Sequence, residues 1–133
     1  MTSMQVHYEG ALRCLAVHDA SGTRLHTDAP VDNQGRGESF SPTDLVATAL
    51  ASCILTILGI VAEREGIALE PCTATVHKTM TSSGVRRIAL LEVWITLPAG
   101  LSAEQRHLLQ QAGEGCPVKR SLEGSVAMEL HWA

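Results

Sequence analysis

Ser41-Pro42-Thr43-Asp44-Leu45 opens a run that continues through Ala47-Thr48-Ala49-Leu50-Ala51-Ser52-Cys53 to Val61-Ala62 and closes on Glu63-Arg64-Glu65-Gly66. Ser41 suits an N-cap, Pro42 the first helical position, and Asp44 supplies negative charge at the positive end of the helix dipole. Gly66 suits a C-terminal stop. The run predicts one helix of about six turns, roughly 35 Å long. Between Leu45 and Ala62 no side chain is charged. A helix apolar on every side is either the core of something larger or a membrane span. Its length reaches that of a span, but Thr48, Ser52, Cys53, Thr56 and Gly59 interrupt it and no second span follows, so no membrane association is expected. One small domain cannot easily cover such a helix on all sides, which points to a second copy of the chain as part of the cover.

With 133 residues, 45% of them hydrophobic and 18% charged, a single domain over 1–133 with its own core is expected. Aromatic residues make up only 3%, so that core is built from Leu, Val, Ile and Ala. A net charge of −4 and the absence of aromatic clusters argue against a nucleic-acid surface. The opening Met1-Thr2-Ser3-Met4-Gln5 lacks the basic and apolar regions of a secretory signal. A cytoplasmic protein with reduced cysteines is therefore expected.

Working outward, Met4 to Glu9 alternates apolar and polar residues with the period of a strand. Leu12 to Val17 and Thr23 to Thr27 continue it on either side of a turn at Asp19–Gly22, giving an antiparallel meander. The segment from Val31 to Phe40 holds Gly35 and Gly37 and few apolar residues, so it should be mobile or lie over a cleft. Beyond the helix, Ala68 to Met80 and Arg87 to Leu97 form a hairpin around Ser82-Ser83-Gly84. In its second strand Ala89, Leu91, Val93, Ile95 and Leu97 make the apolar face. Ser102-Ala103-Glu104-Gln105 has the form of a capping box and starts a helix ending near Gly113. Pro117 then makes Cys116 the N-cap of a short helix. Ser125 to Trp132 is a last strand. The order β-β-β-α-β-β-α-α-β is that of an α+β domain with a long central buried helix.

No phosphate-binding, dinucleotide, GxSxG or HExxH motif occurs. Cys14, Cys53, Cys72 and Cys116 form no CxxC pair and no zinc-ribbon spacing. The six histidines show no ligand spacing either, so neither a metal site nor a cofactor is expected. Cys14 and Cys72 fall in strand patterns and read as small buried hydrophobes.

Phe40-Ser41-Pro42-Thr43-Asp44-Leu45, the small-residue helix around Cys53, and Cys116-Pro117-Val118-Lys119-Arg120-Ser121-Leu122 together resemble the osmotically inducible protein C / organic hydroperoxide resistance family. The resemblance implies an intertwined homodimer with the long helix at its centre and two active sites at the subunit interface. It further implies a thiol peroxidase of the stress response. In that chemistry Cys53 attacks an organic hydroperoxide, Cys116 resolves the product as a disulfide, and a lipoyl-type dithiol restores both thiols. An arginine from an N-terminal strand serves the thiolate in such proteins, and Arg13 is the candidate here, with Arg24 in reserve. Peroxidase members carry a glutamate ten residues before the helix cysteine, where this chain has Thr43; the neighbouring Asp44 is the candidate replacement.

Elementary chemistry sets the requirements. A peroxide is cleaved by a thiolate, and an apolar helix alone disfavours one, so Cys53 needs a cation from elsewhere in the chain. Cys116, at a helix N-terminus, should have its thiolate favoured by backbone N–H groups. Asp44 lies nine positions before Cys53, half a turn out of phase on a straight helix, so it is either a site acid on a bent first turn or a cap. The alternative to a peroxidase is a redox-sensing or small apolar ligand-binding dimer without efficient turnover.

Overall fold

Alternation along the first thirty residues becomes an antiparallel sheet in the order β1-β2-β3, formed by Met4–Gly10 (β1), Arg13–His18 (β2) and Arg24–Asp28 (β3). The computed structural model describes all residues from 1 to 133 and divides them into two compact units, Met1–Val46 and Ala47–Ala133.

In the first unit the register sets Val6 opposite Ala16, Tyr8 opposite Cys14 and Ala16 opposite Leu25. Side chains alternate across a strand, so Met4, Val6, Tyr8, Cys14, Ala16 and Leu25 share one face. That face is apolar yet uncovered by its own unit: Met4, Val6 and Tyr8 are 58%, 64% and 67% exposed. Arg13 stands opposite Asp28 on the other face.

The segment after β3 is tied down more firmly than its composition suggests. It contains a single 3-10 turn, Val31–Asn33. The Gly37 N–H donates to Ala29 O at 3.2 Å and Ser39 Oγ donates to His26 O at 2.8 Å. Gly35 packs so tightly on the Ala29 backbone that any Cβ there would collide with it. Backbone and side-chain hydrogen bonds do the work that apolar packing does elsewhere, and they place Glu38 and Ser39 over a cleft.

Helix α1 spans Pro42–Glu65. Its start is closed reciprocally, the Asp44 N–H donating to Ser41 Oγ at 3.1 Å and the Ser41 N–H to Asp44 Oδ2 at 2.9 Å. Gly66 takes φ +68°, the left-handed conformation that stops the helix. Ala47, Leu50, Ala51, Ile54, Leu58, Val61 and Ala62 are its buried residues, spaced by three and four as one helical face. Thr48, Ser52, Thr56 and Ile60, spaced by four, are exposed. The helix is long and apolar enough to cross a membrane by length and composition, but one face of it is packed as a protein core.

The second unit holds a sheet of order β4-β5-β6, from Thr73–Met80 (β4), Ile88–Thr96 (β5) and Ala127–Trp132 (β6). Strand β4 begins five residues later than the alternation suggests, after Pro71, which has no N–H for a ladder. The hairpin β4-β5 is antiparallel, whereas β5 and β6 are parallel. Parallel strands need a crossover, here helices α2 (Ala103–Glu114) and α3 (Pro117–Leu122). Leu91, Val93 and Ile95 are fully buried, as the expected apolar face requires, and each stabilises the fold by about 1.5–3 kcal/mol. The capping box is present in α2: Ser102 Oγ accepts from the Gln105 N–H and Gln105 Oε1 from the Ser102 N–H, both at 3.0 Å. A Cβ on Gly113 would lie 2.5 Å from Trp132 Cη2 and 3.4 Å from Ile54 Cγ2. Glycine thus lets the end of α2 close onto both β6 and α1, one residue from Cys53.

Candidate thiol site

Cys53 sits in the middle of α1, half-buried between the packed face and the exposed row. Cys116 is the N-cap of α3 and is 0% exposed. Pro117 at the first helical position fixes the entry of that helix, and Cys116 Sγ accepts the Lys119 N–H at 3.3 Å. The two side chains are close enough to interact electrostatically, Cys53 adding to the upward shift of the Cys116 thiol. Both are free thiols. The fold of the second unit thus brings together two sulfur atoms that are far apart in the chain.

The electrostatics of Cys116 run against the sequence-based expectation. Burial pushes its pKa up, and the contact with Cys53 adds to that; the N–H groups of Lys119 and Val118 pull the other way and are outweighed. A helix of six residues has little dipole to offer against a fully buried sulfur. The nearby Lys119 ammonium is engaged by Glu123 at 3.1 Å and Glu114 at 3.6 Å. The protonated thiol is therefore the favoured form of Cys116, beside Cys53.

Arg13 is organised within the first unit. Its Nη2 lies 2.9 Å from Glu38 Oε2 and 3.4 Å from Asp28 Oδ2. Asp28 is 1% exposed, and its carboxyl is held below the ordinary range first by the Glu38 N–H, which donates to Oδ2 at 3.0 Å, and then by Arg13. Those carboxylates raise the Arg13 pKa in turn, Glu38 most, so the guanidinium is permanently charged. Arg13, Asp28, Glu38, Ser39, Glu9 and His26 line a cleft of about 460 Å³. Glu9 pairs with His26 at 3.2 Å at its margin.

Asp44 closes the first turn of α1 with Ser41, which is one of the two roles read for it. Arg24 stands at the exposed start of β3, opposite Val17. Cys14 and Cys72 are half-buried rather than core residues; Cys72 precedes β4, and burial raises its pKa. The acids that hold Arg13 went unread in the sequence. Asp28 was accessible in principle, by counting outward from the turn between β2 and β3 to the residue facing Arg13. Glu38 carried no such signal, because loop hydrogen bonds place it. Outside these groups, Glu92, Glu129 and His131 cluster on the sheet of the second unit and have donor atoms suited to a metal ion.

A family model described as OsmC-like protein matches residues 35–131. Curated proteins give no match. Among solved structures, a Psychrobacter arcticus 273-4 protein named for osmotic stress induction and a detoxification response is 41% identical, with a TM-score of 0.92 over 100% of this chain and 96% of that one. An organic hydroperoxide resistance protein OsmC from Legionella pneumophila is 20% identical at a TM-score of 0.79, again over 100% and 96%. The organic hydroperoxide resistance protein OhrB of Bacillus subtilis is 18% identical at 0.70, over 100% and 98%, and shares the fold. The sequence match across both cysteines, together with agreement over the whole α+β architecture, places this chain in the OsmC-like protein family.

Proposed function

We propose that this protein is a thiol-dependent peroxidase for organic hydroperoxides. The observation that carries the reading is the proximity of Cys53 to Cys116, a fully buried thiol whose pKa burial and Cys53 both raise. A Cys53 thiolate attacks the terminal oxygen of ROOH, the O–O bond breaks, and the alcohol ROH leaves after taking up a proton. Cys53 is then a sulfenic acid. Cys116 sulfur attacks it, the Cys53–Cys116 disulfide forms, and water leaves with the Cys116 proton. A dithiol, lipoyl-type by resemblance to the family, reduces the disulfide and becomes a cyclic disulfide itself. A proton on Cys116 suits this order of events, since of two neighbouring sulfurs only one can readily carry the negative charge.

Arg13 is the cation proposed to serve Cys53 and the departing oxygen, with Asp28 and Glu38 both holding its Nη2. The structural support is the pairing itself, 2.9 Å to Glu38 and 3.4 Å to Asp28. A homodimer is part of the proposal. Two surfaces that need cover support it: the Met4, Val6 and Tyr8 face, and the exposed row Thr48, Ser52, Thr56 and Ile60 on an otherwise apolar helix. Monomeric behaviour in light scattering at micromolar concentration would remove the dimer.

The test of the activity is consumption of an organic hydroperoxide in the presence of a dithiol, by wild type and by Cys53→Ser. Turnover in the first and none in the second is expected; equal rates would overturn the mechanism. Reactive thiols without turnover would instead describe a redox-sensing dimer, the reading favoured by Thr43 in the glutamate position and by the engagement of Asp44 in the helix cap.

A further inference from the structure

The outward face of the β4-β5-β6 sheet carries Thr73, Thr75, His77 and Thr79 on β4, Leu90, Glu92, Trp94 and Thr96 on β5, and Ala127, Glu129 and His131 on β6. Its four titratable side chains are not spread over the face. Cross-strand pairing sets Glu92 between His77 and Glu129, and sets His131 beside Trp94. His131 Nε2 lies 3.8 Å from an oxygen of Glu92 and 3.8 Å from an oxygen of Glu129, beyond hydrogen-bonding range. The three donor atoms all lie within 4.8 Å of one another. Two carboxylates directly opposite each other across a ladder repel, and a shared cation removes that cost. The imidazole is held in place by its ring: it stacks on Trp94 with centroids 4.9 Å apart and planes at 21°, while His77 packs on the same indole at 4.7 Å.

We propose that Glu92, Glu129 and His131 form a binding site for a divalent first-row transition metal ion, with its remaining positions open to solvent. One imidazole nitrogen and two carboxylates suit zinc, nickel or copper better than calcium or magnesium, which take oxygen ligands alone. Metal–ligand bonds of about 2.0–2.2 Å require donors roughly 3–3.5 Å apart. The exposed Glu129 side chain can swing the last part of that distance, while His131 and the half-buried Glu92 are restrained by their neighbours. No local spacing records the site, because its ligands come from adjacent parallel strands joined by a two-helix crossover. The inference is independent of the peroxidase reading, since none of the three ligands belongs to the thiol pair or to the Arg13 cluster.

The test uses nickel chloride as the probe and Trp94 as the reporter, in full-length reduced protein carrying Trp132→Phe so that one indole remains. Saturable quenching of Trp94 at one nickel per chain is expected, because the ring stacks directly on a ligand. His131→Ala and Glu129→Gln, both exposed positions that leave the core intact, should each weaken binding by about tenfold or more, and Cys53→Ser should leave it unchanged. Cobalt in place of nickel should give weak visible bands without the intense near-ultraviolet absorption of thiolate ligation. Absence of saturable quenching, quenching untouched by His131→Ala, or quenching lost in Cys53→Ser would overturn the proposal.

Discussion

Replacing Cys116 by Ser separates the two steps of the proposed chemistry while leaving the fold almost undisturbed. Serine is among the preferred N-cap residues, and its oxygen takes over the Lys119 N–H that Cys116 Sγ accepts at 3.3 Å. Against that gain stands the loss of sulfur contacts at a site with 0% exposure. The two effects are each about 1 kcal/mol and opposed, so the melting temperature should move by no more than about 4 °C. The redox effect is much larger. Well-oriented neighbouring groups reach effective molarities of about 10⁵ M; even a ten-thousandth of that exceeds a millimolar external thiol by about 10⁴-fold. Condensation with Cys116 therefore outruns every other fate of a Cys53 sulfenic acid in the wild type. In Cys116→Ser the sulfenic acid should accumulate after one equivalent of hydroperoxide, be trapped by a carbon nucleophile selective for that group, and pass to sulfinic acid with a second equivalent. Intact mass spectrometry reads all three states. A Cys116→Ser protein that melts like wild type, yields no trappable sulfenic acid and still turns over with the same dithiol as fast as wild type would refute the reasoning.

The Arg13 cluster and the helix contacts give further expectations. Arg13→Met should lower kcat/KM for an organic hydroperoxide by about 10²-fold, the usual scale for one preorganised charge donor, with Glu38→Gln following in the same direction by less; steady-state kinetics at fixed dithiol checks both. The Asp28 carboxyl is depressed in the folded state, so its contribution to stability is fully present above the ordinary carboxylate range near pH 4 and is lost as pH falls through the depressed value. Asp28→Asn should therefore be less stable than wild type at pH 7, with the gap narrowing on acidification, as denaturant titrations at several pH values would show. Gly113→Ala gains about 1 kcal/mol of helix propensity, but its Cβ would sit 2.5 Å from Trp132 and 3.4 Å from Ile54. Overpacking of this kind costs about 1–3 kcal/mol, so net destabilisation is expected in a thermal melt.

What the residues disclosed and what they hid follow a physical division. Local signals were legible: the Ser41 and Ser102 caps, the apolar phase of Leu91, Val93 and Ile95, and Cys116 as the N-cap before Pro117 all depend on residues within a turn or a strand of one another. The two-sheet α+β order followed from them. Features set by pairing at a distance were not legible. The parallel register of β5 and β6 depends on where a two-helix crossover returns the chain, and with it the meeting of Glu92, Glu129 and His131. Glu38 reaches Arg13 through hydrogen bonds of a loop whose composition allowed either mobility or a place over a cleft. The direction of the Cys116 shift was misjudged because capping geometry is visible in a sequence, whereas complete burial of the sulfur is a property of the packed fold. Only the resemblance carried by the Cys53 and Cys116 segments joined the two cysteines into one site.

Peptide mapping of the reduced wild-type protein after one equivalent of an organic hydroperoxide addresses the central claim most directly. The expected product has lost two hydrogen atoms and yields a single cross-linked peptide joining Cys53 to Cys116, with Cys14 and Cys72 still free. An unchanged mass, or a cross-link that leaves out either Cys53 or Cys116, would contradict it.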